Sequence, residues 1–316
     1  MTAHSYPSSS SFSSAATTRP GRTLHLAAAI EDPERAGGQQ AAQYVESARL
    51  AEGGALDFVT LDAPAGGLLE AFDLLARVAE DTDRIGVVAA VTCAEADPAG
   101  IAAAVAALDE VSRGRAGWTA RVPMRRRTGG AEALWRAAAA AAEAVVLASN
   151  GSPQGRPVTA LDATESAART TAARHADIAF VRAAGPEHAG QIRAELRQLA
   201  AGAGRDPDRL RVLVELSVDL CGGELGPEPG ARIALGPDGS GGVLFSGGPV
   251  DLAELIADWQ RSGAADGFHV RPVQPRRDLE RFVNGTIALL QHRGLFRTFH
   301  PGTTLREHLA LPRPPG

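Results

Sequence analysis

From Thr23 onward, short runs that are apolar at nearly every position alternate with longer stretches in which Ala and Leu recur at helical spacing. Continuous apolar runs are expected of strands covered on both faces, whereas spacing of three and four residues marks helices with one buried side. The runs predict strands at 24–30, 57–61, 85–92, 116–121, 157–161, 178–182, 211–220 and 267–271. The intervals between them predict helices at 38–53, 67–80, 98–112, 131–148, 164–175, 186–203, 249–262 and 278–293. Eight strands each followed by a helix favour a (β/α)8 TIM barrel over an open doubly wound sheet. The absence of G-x-G-x-x-G after the first strand points the same way. The Gly- and Pro-rich segment 222–242 reads as a long loop after the seventh strand.

Composition narrows the class. Of the 316 residues 44% are hydrophobic, enough for a full-sized core, yet aromatics are only 4%, so Ala, Val and Leu do most of the filling. The net charge is -5 and no basic stripe interleaves with aromatics, which argues against a nucleic-acid partner. No apolar run approaches the ~20 residues that span a bilayer. All 32 basic residues are Arg in an Ala- and Gly-rich chain, the mark of a GC-rich bacterial coding sequence, and a P-loop lysine is thereby excluded. Two cysteines, Cys93 and Cys221, cannot form a disulfide framework, and reduced thiols fit a cytoplasmic protein. Residues 1–22 are Ser/Thr-rich without a hydrophobic stretch, which reads as a disordered tail rather than a secretory signal, leaving 23–316 as one barrel domain.

Three stretches carry a family stamp: "LDEVSRGRAGW" (108–118), "PQGRPV" with "AARHADIAFV" (153–158 and 172–181), and "GAADGFHVRP" with "LLQHRGLFRTFHPGTTLREHLALPRP" (263–272 and 289–314). Together they resemble the bacterial-luciferase-like flavin monooxygenases, in the branch of nitrilotriacetate and dibenzothiophene-sulfone monooxygenases. The resemblance runs in order from about residue 24 to 314 and implies a TIM barrel with a shortened β4–β5 excursion and a C-terminal extension. It also implies an enzyme that takes reduced FMN from a separate flavin reductase and oxygenates a small organic substrate with dioxygen. A homodimer or a heterodimer with a paralogue is implied too. In such an enzyme the flavin carries the chemistry while the protein orients it and excludes water.

The resemblance places the cofactor at the C-terminal mouth of the barrel, so each matching position is a candidate. Asp62 ends the second strand, where the family keeps an acidic residue near the flavin ring; a loop-capping Asp before Pro64 is the plainer alternative. Cys93 stands where the family has a hydroxyl residue, and as a weak hydrogen-bonder it reads more readily as a buried inert thiol than as a flavin contact. Thr119 replaces an Asn after "RAGW", keeping a donor and an acceptor but losing the paired amide. The family's excursion after that strand is replaced by 122–152, whose Arg125, Arg126 and Arg127 could meet an anion or form a solvated turn. His269 and Arg271 alternate to one face of the last strand, and Arg271 is the better candidate for an anionic substrate. His175 reads as a structural helix-end histidine, and His292, His300 and His308 lack zinc-site spacing.

The phosphate-holding turn differs most. Where the family reads approximately Gln-Ala-Gly-x-Ser-x-x-Gly, this chain has Leu161, Asp162, Ala163, Thr164, Glu165 and, at the last glycine, Ala168. Asp162 with Glu165 three positions on has the form of a capping box, whose carboxylates would occupy the helix amides. A phosphate within ~6 Å of either carboxylate is opposed by on the order of 3 kcal/mol at an effective dielectric of ~20. Two readings follow: an active flavin monooxygenase, or a degenerate homologue with impaired FMN binding that serves as a partner subunit. Ala163, Thr164 and Glu165 are therefore the positions that separate them.

Overall fold

The computed structural model describes residues 23–31, 40–62, 68–93, 96–120, 131–221, 231–235 and 242–314. The tail 1–22 and the run Arg125–Arg127 lie outside the described residues. Strands β1 (His25–Ala29), β2 (Phe58–Asp62), β3 (Gly86–Val91), β4 (Ala116–Ala120), β5 (Val158–Asp162), β6 (Ile178–Val181), β7 (Arg211–Asp219) and β10 (Gly267–Pro272) pair in parallel in sequence order, and β10 pairs with both β7 and β1. That double pairing closes an eight-stranded barrel. Helices α1 (Gln40–Gly53), α2 (Leu68–Glu80), α3 (Pro98–Val111), α4 (Ala131–Leu147), α5 (Ser166–His175), α6 (Pro186–Gly202) and α7 (Pro249–Ser262) follow their strands around the outside. The last helical stretch runs unbroken through α8 (Pro275–Arg281), a π-helical turn Phe282–Ile287 and α9 (Ala288–His292).

Alternation along each strand divides the side chains between two apolar regions. Leu26, Val59, Val87, Trp118, Leu161, Val214 and Phe268 face outward into the layer under the helices. Ala27, Phe58, Val88, Val158, Ile178, Phe180 and Leu213 face the lumen. The lower end of the lumen is stopped by the C-terminal extension: α10 (Leu305–His308) and the residues after it insert Leu305, Leu309 and Leu311 among those side chains. Leu305 reaches so far in that a Cβ on Gly86 would lie 2.6 Å from its Cδ1, which is why β3 begins with glycine. The specific "GTTLREHL" string is thus a stopper, held by a Thr304–Glu307 capping box and by Arg306, whose guanidinium meets the buried Asp177 carboxylate at 3.1 and 3.2 Å.

One device recurs at the lower ends of three strands. Asp57, Asp177 and Asp266, each just before a strand, accept the backbone N–H of Leu26, Thr159 and Val212 on the preceding strand of the barrel. Each carboxylate is also met by an arginine, Arg297, Arg306 and Arg193 respectively. Asp57 is fully buried. Burial would raise its carboxyl, but Arg297 and His25, whose Nδ1 lies 3.0 Å away, outweigh that and hold it at about 2.

Two expectations are corrected. Segment 222–242 is not loop throughout: β8 (Arg232–Leu235) forms an antiparallel hairpin with β9 (Val243–Ser246), and β9 pairs in parallel with Leu216–Asp219 of β7. The reason is length. The four residues of β6 cover β7 only from Arg211 to Val214, so the upper half of that edge is open and β9 fills it. The second concerns α5, which begins at Ser166 rather than 164, with consequences for the mouth.

Candidate functional site at the barrel mouth

Above the apolar floor the lumen turns polar. Thr60 and Asp62 of β2, Thr119 of β4, Asp162 of β5, Glu215 of β7 and His269 and Arg271 of β10 share the inward register with Phe58, Gly117, Val158, Leu213 and Gly267. Arg182, immediately after β6, continues the inward row of Ile178 and Phe180. These groups form one chain of contacts. Thr60 Oγ1 lies 2.9 Å from His269 Nε2, and His269 Nδ1 lies 3.5 Å from Glu215 Oε1. Arg182 then donates to Glu215 Oε2 at 3.2 Å and to Asp162 Oδ2 at 2.7 Å. Arg271 donates to Glu31 at 2.8 Å and sits 3.7 Å from Glu215.

Depth is graded along this chain. Thr60 and His269 are buried, His269 between Phe180 at 4.8 Å and Phe58 at 6.3 Å, while the Arg271 side chain is 43% exposed. Burial would raise the Glu215 carboxyl, but His269, Arg271 and Arg182 together hold it well below the usual carboxylate range. Glu215 is therefore an anion at neutral pH. Arg271, expected to meet an anionic substrate, is already engaged by two carboxylates, so an incoming anion has to compete with Glu31 and Glu215.

The β5–α5 turn takes a different form from the capping box read in the sequence. Asp162 Oδ1 does accept a backbone N–H, but that of Thr164 at 2.8 Å, two residues on, while its other oxygen holds Arg182. Glu165 is itself the residue before α5 and makes no side-chain cap. Thr164 Oγ1 accepts the Arg182 N–H at 3.1 Å, and Ala163 N–H is spent on the Phe180 carbonyl at 2.8 Å. Ala163 and Ala168 are fully buried in the outer apolar layer. Cys93 lies in that layer too, with its thiol against the Val91 carbonyl at 3.8 Å, and burial pushes its pKa up to about 12. It is not brought to the lumen. His175 lies at the end of α5, 4.0 Å from Glu143, outside the mouth.

Arg182, Glu215, Thr60 and Glu31 escaped the sequence reading. Their signal was present for two of them: Glu215 interrupts the apolar run "RVLVELSV", and Arg182 ends "IAFV" where the next inward position falls. A charge inside a strand buried on both faces is too costly to be incidental.

Residues 13–120 match the family model described as luciferase-like monooxygenase. Over those residues the chain is similar to the luciferase-like monooxygenases. It is 41% identical over 71 residues to N-acetyl-S-(2-succino)cysteine monooxygenase of Bacillus subtilis (strain 168), a stretch covering 22% of this chain and 16% of that protein. It is 41% identical over 75 residues to nitrilotriacetate monooxygenase component A of Aminobacter aminovorans, covering 24% and 17%. These matches span less than a fifth of either relative's length. Among solved structures, the EDTA monooxygenase from Chelativorans sp. BNC1 superposes with a TM-score of 0.75 at 19% identity, covering 92% of this chain and 99% of that one. The fold of this chain is therefore that of this solved structure.

Against FMN the mouth divides in two. Asp62 and Thr119, toward the ends of β2 and β4 on either side of β3 and facing the lumen, suit the polar edge of a flavin ring. The turn at 162–165 does not suit the phosphate: the Ala163 and Thr164 amides are occupied, and the Asp162 carboxylate lies between them and the mouth guanidinium of Arg182.

Proposed function

We propose that this luciferase-like chain is an oxidoreductase of the flavin-dependent monooxygenase class, oxygenating a small organic substrate in the barrel mouth with dioxygen and reduced FMN from a separate reductase. The observation that carries this reading is the linked set Thr60, His269, Glu215, Arg182 and Asp162 inside the barrel. Buried ionisable groups are expensive, and a barrel kept only as scaffold fills that layer with apolar side chains. Their gathering at the C-terminal ends of the strands is where this fold keeps its chemistry. Asp62 and Thr119 are the proposed ring contacts. Arg271, shared with Glu31 and Glu215, is the proposed substrate contact.

The second reading is a partner subunit with impaired FMN binding, in a heterodimer with a flavin-bearing paralogue. Its support is the closed turn, in which Asp162 takes both the Thr164 amide and Arg182. The two separate on titration of the full chain with FMN and reduced FMN by anaerobic calorimetry, followed by reductase-coupled oxygen uptake. Saturable binding of reduced flavin with substrate-dependent oxygen uptake supports the first reading. No heat at high micromolar flavin and no uptake above the reductase alone rejects it. Light scattering of the purified chain, alone and mixed with an active paralogue, distinguishes homodimer from heterodimer.

A further inference from the structure

At the lower end of the barrel, opposite the mouth, guanidiniums gather in excess of the carboxylates that meet them among the described residues. Arg156 stands just before β5, Arg205 and Arg209 lie in the segment "GAGRDPDRLR" (202–211) that joins α6 to β7, and Arg306 belongs to the stopper. Asp177, the buried carboxylate in their midst, takes both terminal nitrogens of Arg306 at 3.1 and 3.2 Å and Nη2 of Arg156 at 2.9 Å. Asp208 is held by Arg197 at 2.7 Å. Asp206 accepts the Asp208 N–H at 2.9 Å and stands 3.6 Å from Arg209, beyond hydrogen-bonding distance.

Arg205 carries the donors left over. Its partly buried guanidinium makes one hydrogen bond, from Nη1 to the Ala173 carbonyl at 2.8 Å in the last turn of α5, and no ion pair with a described carboxylate. Burial lowers its pKa; Asp177 opposes that, and the guanidiniums of Arg156, Arg306 and Arg209 lower it further, so all three stand within electrostatic reach of it. The helix-end carbonyl accounts for Nη1 and leaves Nε and Nη2 uncommitted. Arg156 is incompletely matched as well, with Nε buried and lacking a hydrogen-bond partner among the described residues. A cation held out of water among other cations is costly unless an anion joins it.

We propose that this lower rim binds a phosphate-type oxyanion, either inorganic phosphate or the phosphate of a small monoester, between Arg205, Arg156 and Arg209. The site is separate from the mouth and independent of flavin. A tetrahedral dianion offers acceptors in several directions, which suits guanidinium forks that arrive from separate segments; a planar carboxylate is already matched there by the fork of Arg306. Arg205 is the principal contact and Arg209, half exposed, the outer one. Arg306 is fully engaged by Asp177 and the Pro312 carbonyl and contributes only its field. No bond is made or broken. Binding ties the residue before β5 to the turn before β7 and, through Asp177, to the stopper.

The test is calorimetric titration of the full chain at neutral pH with inorganic phosphate and, separately, with glycerol 3-phosphate, sodium chloride holding the ionic strength constant. The chain carries a net charge of -5, so its overall charge repels either ligand and saturable binding reports a local site. The expected result is a Kd of about 1 mM or tighter that weakens about tenfold or more in Arg205→Gln and about threefold in Arg209→Gln. Arg276→Gln, at an exposed arginine of α8, leaves it unchanged. Tighter binding of glycerol 3-phosphate assigns the site to a monoester, and equal or weaker binding assigns it to free phosphate. No saturable heat with either ligand up to about 10 mM overturns the proposal. So does an affinity unchanged in Arg205→Gln, or one that falls as far in Arg276→Gln. Should Arg205→Gln not fold, Arg209→Gln carries the contrast from an exposed position, and an unchanged affinity there overturns the proposal.

Discussion

Acid should loosen this barrel from below before it reaches the mouth. His308 of the C-terminal stopper is buried, with Nδ1 3.4 Å from the Asp57 carbonyl and Nε2 3.3 Å from the Gly302 carbonyl. Burial first, and then the neighbouring His300 at 4.8 Å between ring centres, lower its pKa from the ordinary 6.5 to about 4. The sign follows from proton counting: between those two values the unfolded chain binds a proton that the folded chain refuses, so stability falls as pH falls. Over that span the loss is about 3 kcal/mol, at about 1.4 kcal/mol for each pH unit. His300, also lowered by burial, adds to the same slope. Asp57 acts in a separate, lower window, holding its contribution above its ordinary 3.8 and losing it as pH approaches about 2. Urea unfolding of the full chain at constant ionic strength, from neutral pH down to about 4, measures the first window, and His308→Gln should flatten the slope there. A wild-type curve level across that range, or a His308→Gln curve as steep as wild type, refutes the reasoning.

Four further outcomes are expected. Leu305→Ala empties the lower lumen beside Gly86 and should destabilise by about 3 kcal/mol in the same urea assay, because the rigid barrel cannot close the cavity. Arg306→Met removes the bidentate partner of Asp177 and leaves that buried carboxylate to Arg156 and the Thr159 N–H, at a cost of about 3 kcal/mol, whereas a change below about 1 kcal/mol would show the pair to be dispensable. Asp162→Ala frees the Thr164 amide and one side of Arg182, so FMN affinity measured by fluorescence should rise about tenfold, whereas Glu165→Ser with Ala168→Gly should leave it nearly unchanged. A disulfide reagent at neutral pH should label Cys221 and spare Cys93 until the chain is unfolded, since burial keeps the latter protonated.

The barrel was legible in the chain because its signals are local. Runs apolar on both faces mark strands without knowledge of their neighbours, and each of the eight barrel strands overlaps a run read from the sequence. The hairpin of β8 and β9 was not legible, since its place depends on β6 ending early and leaving half an edge of β7 open. The turn at 162–165 was half legible. The sequence, aligned on the resemblance, places Asp162 and Glu165 at the family's alanine and serine positions and alanines at its two glycines, and spacing alone made a capping box of the two carboxylates. Only the fold revealed that Asp162 looks inward to Arg182, because that residue follows a different strand, β6.

By itself, then, the amino-acid order determined the alternation of strands and helices, the resemblance to luciferase-like monooxygenases and the carboxylates at positions 162 and 165. Tertiary structure decided which polar residues meet. Thr60, His269 and Glu215 stand far apart along the chain and come within hydrogen-bonding reach or close to it only when β10 closes the barrel between β1 and β7. Periodicity records which face a side chain takes; closure of the sheet alone sets what stands across the lumen from it.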